Sequence, residues 1–141
     1  KAIRRQRQMC IRDRYIDMKA TDVQIGGSHY KDMAMQPIEL ITALRCSFIQ
    51  GCIIKYISRY KAKNGVQDIK KCIHYAQLAI QLGDKRRCND KTLSLNINKF
   101  IIKNKLTILQ RRIITQTAYN NYEQVIQFCK ELLRIEYPEE Q

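Results

Sequence analysis

Apolar residues recur every three or four positions in three stretches between residues 37 and 83, which predicts three amphipathic helices. Pro37 suits the first turn of the first helix, because it has no N–H to lose there. The second helix opens with a capping box, Ser47-Phe48-Ile49-Gln50, and ends at Asn64-Gly65. Gly83 ends the third helix. We expect the second and third helices to form an antiparallel hairpin, with the first helix packed across it.

The chain beyond the hairpin is also expected to be helical. Leu93, Leu95 and Ile97 alternate with polar residues as in a strand, but no partner strand is visible, so we predict helices over 97–104 and 107–117. Asn121 is expected to cap a last helix, which Pro138 ends. The predicted fold class is therefore all-α, with a compact three-helix unit followed by a second small helical segment. That segment either packs on the first or mediates self-association.

These patterns divide the chain into four segments. We predict a basic N-terminal segment over 1–17, a helical domain over 18–84, a charged linker over 85–96 and a helical extension over 97–141. The string QRQMCIRDR at 6–14 resembles a translated sequencing-adapter read-through, so residues 1–14 are set aside in predicting the fold, and Met18 is a plausible start. A nucleic-acid-binding arm is the functional alternative. Without these residues the net charge falls from +13 to +8, because they hold six basic and one acidic residue.

Composition indicates a globular protein with reduced cysteines. Apolar residues make up 45% of the chain, no apolar run is long enough to cross a bilayer and no secretory signal is evident, so we expect a soluble cytoplasmic protein without a membrane partner. The six cysteines include no CxxC pair. Cys52, Cys72 and Cys129 fall on apolar helical stripes, where a free thiol behaves as a small hydrophobe.

The positive charge is concentrated in the middle of the chain. Residues 45–112 contain 16 basic and three acidic residues, whereas residues 123–141 contain two basic and five acidic residues. Such a basic body predicts an anionic partner, such as nucleotide phosphates, nucleic acid or an acidic surface.

Four basic residues of the hairpin are candidates for binding a phosphate. Lys55, Arg59 and Lys63 stand four apart and form a line along the second helix, and Lys71 of the third helix can face them. Arginine can donate two hydrogen bonds to one phosphate, and lysine adds a point charge. The alternative is that these basic residues only form a solvated face of the helices and bind nothing.

Three more residues complete the candidate site. His29 and Tyr30 lie in a loop before the first helix. They are expected to contact a base or phosphate, or to act as an acid/base pair. The alternative is that His29 only hydrogen-bonds the backbone and holds the loop in place. Asp68 is the candidate contact to a magnesium ion that arrives with a nucleotide. It could equally pair with Lys71 or cap its helix.

Several common sites are excluded. The chain has no GxxxxGK[ST] phosphate loop, no HExxH motif around His74 and no nucleophile elbow. Most aromatic residues fall on core stripes rather than between basic residues, which argues against binding of single strands by stacking.

Spaced residues between 28 and 83 resemble a known family. They are Ser28-His29-Tyr30, Pro37-Ile38-Glu39, the run from Lys55 to Gly65 with Arg59, Tyr60 and Lys63, then Asp68, and Lys71 to Tyr75. This pattern resembles a small phage and prophage family, catalogued as a domain of unknown function, that includes the nucleotide kinase of T-odd coliphages. The resemblance implies a phage protein of nucleotide metabolism in the host bacterial cytoplasm. It further implies transfer of phosphate from ATP to a deoxynucleoside monophosphate, without the usual phosphate loop, by an oligomer.

Three hypotheses follow for function. In the first, Lys55, Arg59 and Asp68 are catalytic residues of a nucleoside monophosphate kinase that uses ATP and Mg²⁺. Substrate is then held by His29, Tyr30, Lys63 and Lys71. In the second, the same site only binds or sequesters a nucleotide. In the third, the protein is a basic nucleic-acid-binding accessory protein, and Arg86-Arg87, Arg111-Arg112 and the lysines of 99–105 matter more.

Overall fold

The computed structural model describes residues 19–88 and 91–140 of the chain. Within these ranges the protein forms six α-helices and no strand, so the predicted all-α class is confirmed. The helices are α1 Pro37–Leu44, α2 Phe48–Arg59, α3 Val66–Leu82, α4 Leu93–Asn104, α5 Ile108–Ala118 and α6 Tyr122–Glu136. Short 3₁₀ turns occupy Ala20–Asp22, Tyr60–Ala62 and Pro138–Glu140. The predictions for residues 1–17 lie outside the described residues.

The predicted start of α2 is confirmed in detail. The backbone N–H of Gln50 donates to Ser47 Oγ at 3.1 Å, and the Ser47 N–H donates to Gln50 Oε1 at 2.8 Å. These reciprocal bonds satisfy two backbone donors that a helix start leaves without partners. Gln36 and Glu39 form a second capping box at the start of α1, ahead of Pro37 at its first position.

The turn of the α2–α3 hairpin differs from the prediction. The α-helix ends at Arg59 rather than at Asn64-Gly65, and the chain continues as the 3₁₀ turn Tyr60–Ala62. This tighter turn carries Tyr60 into the core, where the ring is fully buried and its hydroxyl donates to Glu136 Oε2 at 2.8 Å. Gly83 takes a left-handed φ of 69° and ends α3, as predicted.

The C-terminal segment is helical, as predicted, with a different start. Helix α4 begins at Leu93, four residues before the predicted start at Ile97. The side chains of Leu93 and Ile97 are each 2% exposed, and their spacing of four places them on one buried face of the helix. The alternation in this stretch is therefore part of a helical pattern. At the last helix, Asn121 precedes Tyr122 but does not cap it, since its side-chain amide donates to Gln116 Oε1 at 2.7 Å.

The helices share one continuous hydrophobic core. Helix α2 lies at its centre, in contact with α1, α3 and α5, while α6 packs against α3 and α5. Two buried glutamines join the halves of the chain: Gln110 Nε2 donates to the Ile57 carbonyl at 2.9 Å, and Gln50 Nε2 donates to the Thr117 carbonyl at 3.2 Å. The C-terminal helices therefore pack on the first three helices.

The cysteines on apolar stripes lie inside this core. Cys52, Cys72 and Cys129 are all buried, and burial raises the pKa of the Cys72 thiol well above its ordinary value. Among the described residues, no helix combines the length and apolar character needed to cross a membrane.

Candidate functional site

Arg59, the last residue of α2, is the centre of a buried polar cluster. Its Nε donates to Asp68 Oδ2 at 3.1 Å and its Nη2 donates to Asp68 Oδ1 at 3.3 Å. Its Nη1 donates to the Tyr30 hydroxyl at 3.0 Å. Burial alone would lower the pKa of Arg59, but the hydrogen bonds and charge of Asp68 and Tyr30 raise it above its ordinary value. The guanidinium is therefore a permanent, firmly oriented cation.

Asp68, in the first turn of α3, is fully buried. Both of its oxygens face Arg59, and Lys71 Nζ lies 3.9 Å from Oδ1. A magnesium ion at Asp68 would have to displace a buried ion pair, and the described residues contain no group of three histidine, cysteine or acidic side chains that could hold a metal. The donor set thus does not fit a resident metal, and the geometry of Asp68 is that of a group that orients Arg59.

The loop before α1 is arranged around Gln24. The Gln24 Oε1 accepts from the backbone N–H groups of Tyr30 and Lys31 at 2.7 and 3.0 Å, and its Nε2 lies 3.1 Å from His29 Nδ1. The rings of His29 and Tyr30 are in contact, with centroids 4.2 Å apart. One glutamine therefore fixes both candidate loop residues beside Arg59.

The charges of the cluster act on both loop side chains. Burial, followed by the charges of Lys63 and Arg59, lowers the pKa of His29, which favours the neutral imidazole. Burial raises the pKa of Tyr30, opposed in part by Arg59, so its hydroxyl stays protonated. The Tyr30 oxygen accepts from Arg59, which leaves its own proton available to another acceptor.

A cavity of about 390 Å³ opens beside this cluster. His29 and Arg59 line it on one side, and the end of α4 lines it on the other. Its charged lining comprises the basic residues Arg59, Lys61, Lys103 and Lys105 and the acidic residue Asp32. A small anion that enters the cavity therefore meets positive charge from two separate parts of the chain.

Asn104 joins the two walls of this cavity. Its Nδ2 donates to the Met35 carbonyl at 2.8 Å, and its Oδ1 accepts from the Met35 N–H at 3.2 Å. Next to it, Lys105 ends α4 in a left-handed conformation, with φ of 52°. These contacts seat the end of α4 against the segment that carries His29, which places Lys103 and Lys105 at the cavity.

The structure brings only some of the predicted site residues together. Arg59, Asp68 and Tyr30 form one hydrogen-bonded cluster, His29 lies beside it, and the exposed Lys63 contributes charge to His29. Four further residues at the cavity, Lys61, Lys103, Lys105 and Asp32, are not among the predicted site residues. The basic run at 99–105 is the available signal in the sequence, but only the nucleic-acid hypothesis gives it a role.

Lys55 and Lys71 lie on a different surface, around the ring of Tyr56. Their Nζ atoms are 4.6 and 4.9 Å from the ring centroid, and the guanidinium carbon of Arg59 is 4.8 Å from it. Tyr56 is half-buried, with three cations at its ring. Tyr56 packs against the core, as its place on the apolar stripe predicts, and its ring is in addition surrounded by basic side chains.

Comparison with protein families gives one match. Residues 25–77 match the family described as a protein of unknown function, DUF3310. No curated protein and no solved structure shows a significant match to the chain. The matched segment supports the expected domain of unknown function. It runs from the loop before α1 into α3, and so contains every predicted site residue.

The cavity reaches beyond the DUF3310 segment. Arg59, Lys61, His29 and Asp32 belong to the matched residues, whereas Lys103 and Lys105 come from α4, outside them. The family segment thus supplies the oriented arginine and its partners, and the C-terminal helices complete the positive wall.

Proposed function

We propose that the protein binds a nucleotide in the cavity between the His29 loop and the end of α4, chiefly through the nucleotide's phosphate. The observation that carries the proposal is the convergence of Arg59, Lys61, Lys103 and Lys105 on one cavity of about 390 Å³. Small-molecule sites in proteins usually measure about 300–1,000 Å³. The cavity is therefore of the size expected for a single mononucleotide.

The cluster behind the cavity supports a phosphate as the recognised group. Asp68 and Tyr30 hold the Arg59 guanidinium in one orientation, so little rotamer entropy remains to be lost when an oxyanion approaches. Lys61, Lys103 and Lys105 add mobile point charges. Lys61 lies 3.9 Å from Glu136 and is 55% exposed, so its charge is partly offset but its ammonium can still turn toward a ligand.

The candidate residues then take different roles. Arg59 contacts the phosphate, Asp68 and Tyr30 position Arg59, and the neutral His29 faces the nucleotide from the loop. Lys63 raises the local potential. Lys55 and Lys71 flank Tyr56 outside the cavity and contribute at longer range.

The kinase form of the proposal adds phosphate transfer from ATP to a deoxynucleoside monophosphate. The resemblance to the phage family supports it, and so do the cations of the cavity, since phosphoryl transfer needs mostly positioning and neutralised charge. Magnesium would arrive on the ATP phosphates and neutralise part of their charge. In this form the protein serves phage nucleotide metabolism in the host cytoplasm.

Calorimetric titration tests the binding proposal. Deoxynucleoside monophosphates are titrated into the wild type, into K103Q/K105Q and into a control, K130Q, whose lysine is exposed on α6. A hydrogen bond to a charged group contributes about 1.5–3 kcal/mol, so the double variant should bind at least about tenfold more weakly, while the control keeps wild-type affinity. Equal affinity in all three proteins would disprove the cavity as the site.

A second assay separates binding from catalysis. ATP, Mg²⁺ and each monophosphate are incubated with the protein, and ADP and nucleoside diphosphate are quantified. Equal amounts of the two products, lost in R59K, would support the kinase form. Monophosphate binding without either product would support the sequestering alternative.

A further inference from the structure

A row of aromatic rings crosses the outer surface of the α2–α3 hairpin. Phe48 begins α2, and its ring meets Tyr75 of α3 edge-on, with centroids 6.5 Å apart. The Tyr75 ring in turn lies nearly parallel to Tyr56, with centroids 5.9 Å apart and an interplanar angle of 22°. Phe48, Tyr75 and Tyr56 form a continuous set, called here the aromatic row.

The exposure of Phe48 has no explanation in the fold. Its side chain is 78% exposed and is not part of the hydrophobic core. The capping box at this helix start uses Ser47 and Gln50, so nothing in it requires an aromatic residue at the first position. An exposed ring beside two half-buried ones is instead a surface on which another flat group can stack.

The surface around the aromatic row is cationic. Lys55 and Lys71 approach the Tyr56 ring within 5 Å, as does the guanidinium of Arg59. From residue 48 to residue 82 the chain contains six basic residues and one acidic residue. That single acid, Asp68, is fully buried and pairs with Arg59 and, at 3.9 Å, with Lys71, so it offsets part of their charge, but the stretch keeps a net charge of +5 (six basic minus one acidic).

We propose that the aromatic row binds single-stranded nucleic acid, with bases stacked on Phe48 and Tyr75 and backbone phosphates near Lys55 and Lys71. Proteins bind single strands by this combination of aromatic rings and cations. A duplex hides the faces of its bases inside its own stack, so the row favours unpaired strands. The nucleotide of the cavity is a different ligand, held in addition by Lys103 and Lys105, which do not belong to this surface; Arg59 borders both the cavity and the Tyr56 ring.

Fluorescence anisotropy with a labelled ten-nucleotide oligothymidylate tests the proposal. Base stacking on an aromatic ring contributes about 1–3 kcal/mol per base, so F48A should weaken binding roughly tenfold. The matched control is I102A, which removes an apolar side chain that is 75% exposed on α4 and should leave the affinity unchanged. In K55Q/K71Q the dependence of log K on log salt should flatten by about 0.7 for each lost phosphate contact.

Further measurements distinguish binding at the aromatic row from binding in the cavity, and single strands from other anionic ligands. The K103Q/K105Q variant should keep at least most of its oligothymidylate affinity, so loss of the nucleotide site and loss of the aromatic row give different results. Binding that is unchanged in F48A would overturn the proposal. So would equal affinity for a ten-base-pair duplex or for a polyglutamate peptide of matched charge, since either result would show that charge alone is recognised.

Discussion

Asn104 holds both backbone groups of Met35, donating to its carbonyl at 2.8 Å and accepting from its N–H at 3.2 Å, although the two residues are 69 positions apart. The side chain therefore completes the hydrogen bonding of a loop residue in the way a neighbouring strand would. Because Lys103 and Lys105 flank Asn104, this contact also determines where the positive wall of the cavity stands relative to His29.

We expect N104A to loosen this junction. Two backbone groups of a buried residue lose their partner, and a net hydrogen bond contributes about 0.5–1.5 kcal/mol, so unfolding in urea should show a loss of roughly 1–3 kcal/mol. N98A is the control, because the Asn98 side chain, also on α4, accepts a hydrogen bond from the exposed Arg111 of α5 and should change stability by less than about 0.5 kcal/mol. Similar losses in the two variants would contradict the proposed role of Asn104.

Arg59 and Asp68 should be strongly coupled in stability. Removing one partner of a buried ion pair leaves an uncompensated charge, which costs about 3–5 kcal/mol; we expect this range for R59M and for D68L, each measured by chemical denaturation. The double variant R59M/D68L should recover part of the loss, because no buried charge remains. Additive single losses in the double variant would show that the pair does not interact.

The pKa of His29 lies below its ordinary value, because burial and the charges of Lys63 and Arg59 favour the neutral ring. In the unfolded chain the histidine takes up a proton near pH 6.5. The folded protein takes it up only at lower pH, so His29 contributes stability above pH 6.5 that is lost as the pH falls from 6.5 toward the folded pKa. Between pH 7.5 and pH 5.5 the urea midpoint of unfolding should therefore fall further in the wild type than in H29Q. An equal decrease in both proteins would contradict the lowered pKa of His29.

Two glycines offer a matched test of backbone strain. At Gly65, where φ is +51°, an added Cβ would lie 3.2 Å from the Tyr137 hydroxyl, whereas at Gly83, where φ is +69°, it would meet nothing within 4 Å. A left-handed conformation costs an ordinary residue roughly 1–2 kcal/mol. We expect about that loss for G83A in thermal or urea unfolding. A larger loss is expected for G65A, because its backbone, with ψ of −121°, lies outside the left-handed region and because Tyr137 must also move. Equal losses in the two variants would contradict this difference.

The local parts of the fold could be predicted from the sequence because their causes are local. The capping box at Ser47, the stop at Gly83 and the apolar stripes each depend on residues within a few positions of one another. The end of α2 differs from the predicted end because the burial of Tyr60 and its hydrogen bond to Glu136 depend on a residue 76 positions away. Such a tertiary contact leaves no mark in a local pattern.

The candidate site was predictable only in its family segment. Spacing along one helix singles out Arg59 and Lys63 alike, because it cannot distinguish a buried, paired guanidinium from an exposed lysine one turn later. Lys103 and Lys105 reach the cavity through the contact between Asn104 and Met35, which no spacing rule contains. The same limit applies to Tyr56, whose surrounding cations come from two helices.

The pair of Arg59 and Asp68 also constrains how this hairpin can vary during evolution. A variant that loses only one of the two residues keeps an unpaired buried charge and is expected to fold poorly. Related chains should therefore either keep both residues or have both replaced. We therefore expect substitutions at positions 59 and 68 to be inherited together among related sequences, although neither residue needs to touch a ligand for this to hold.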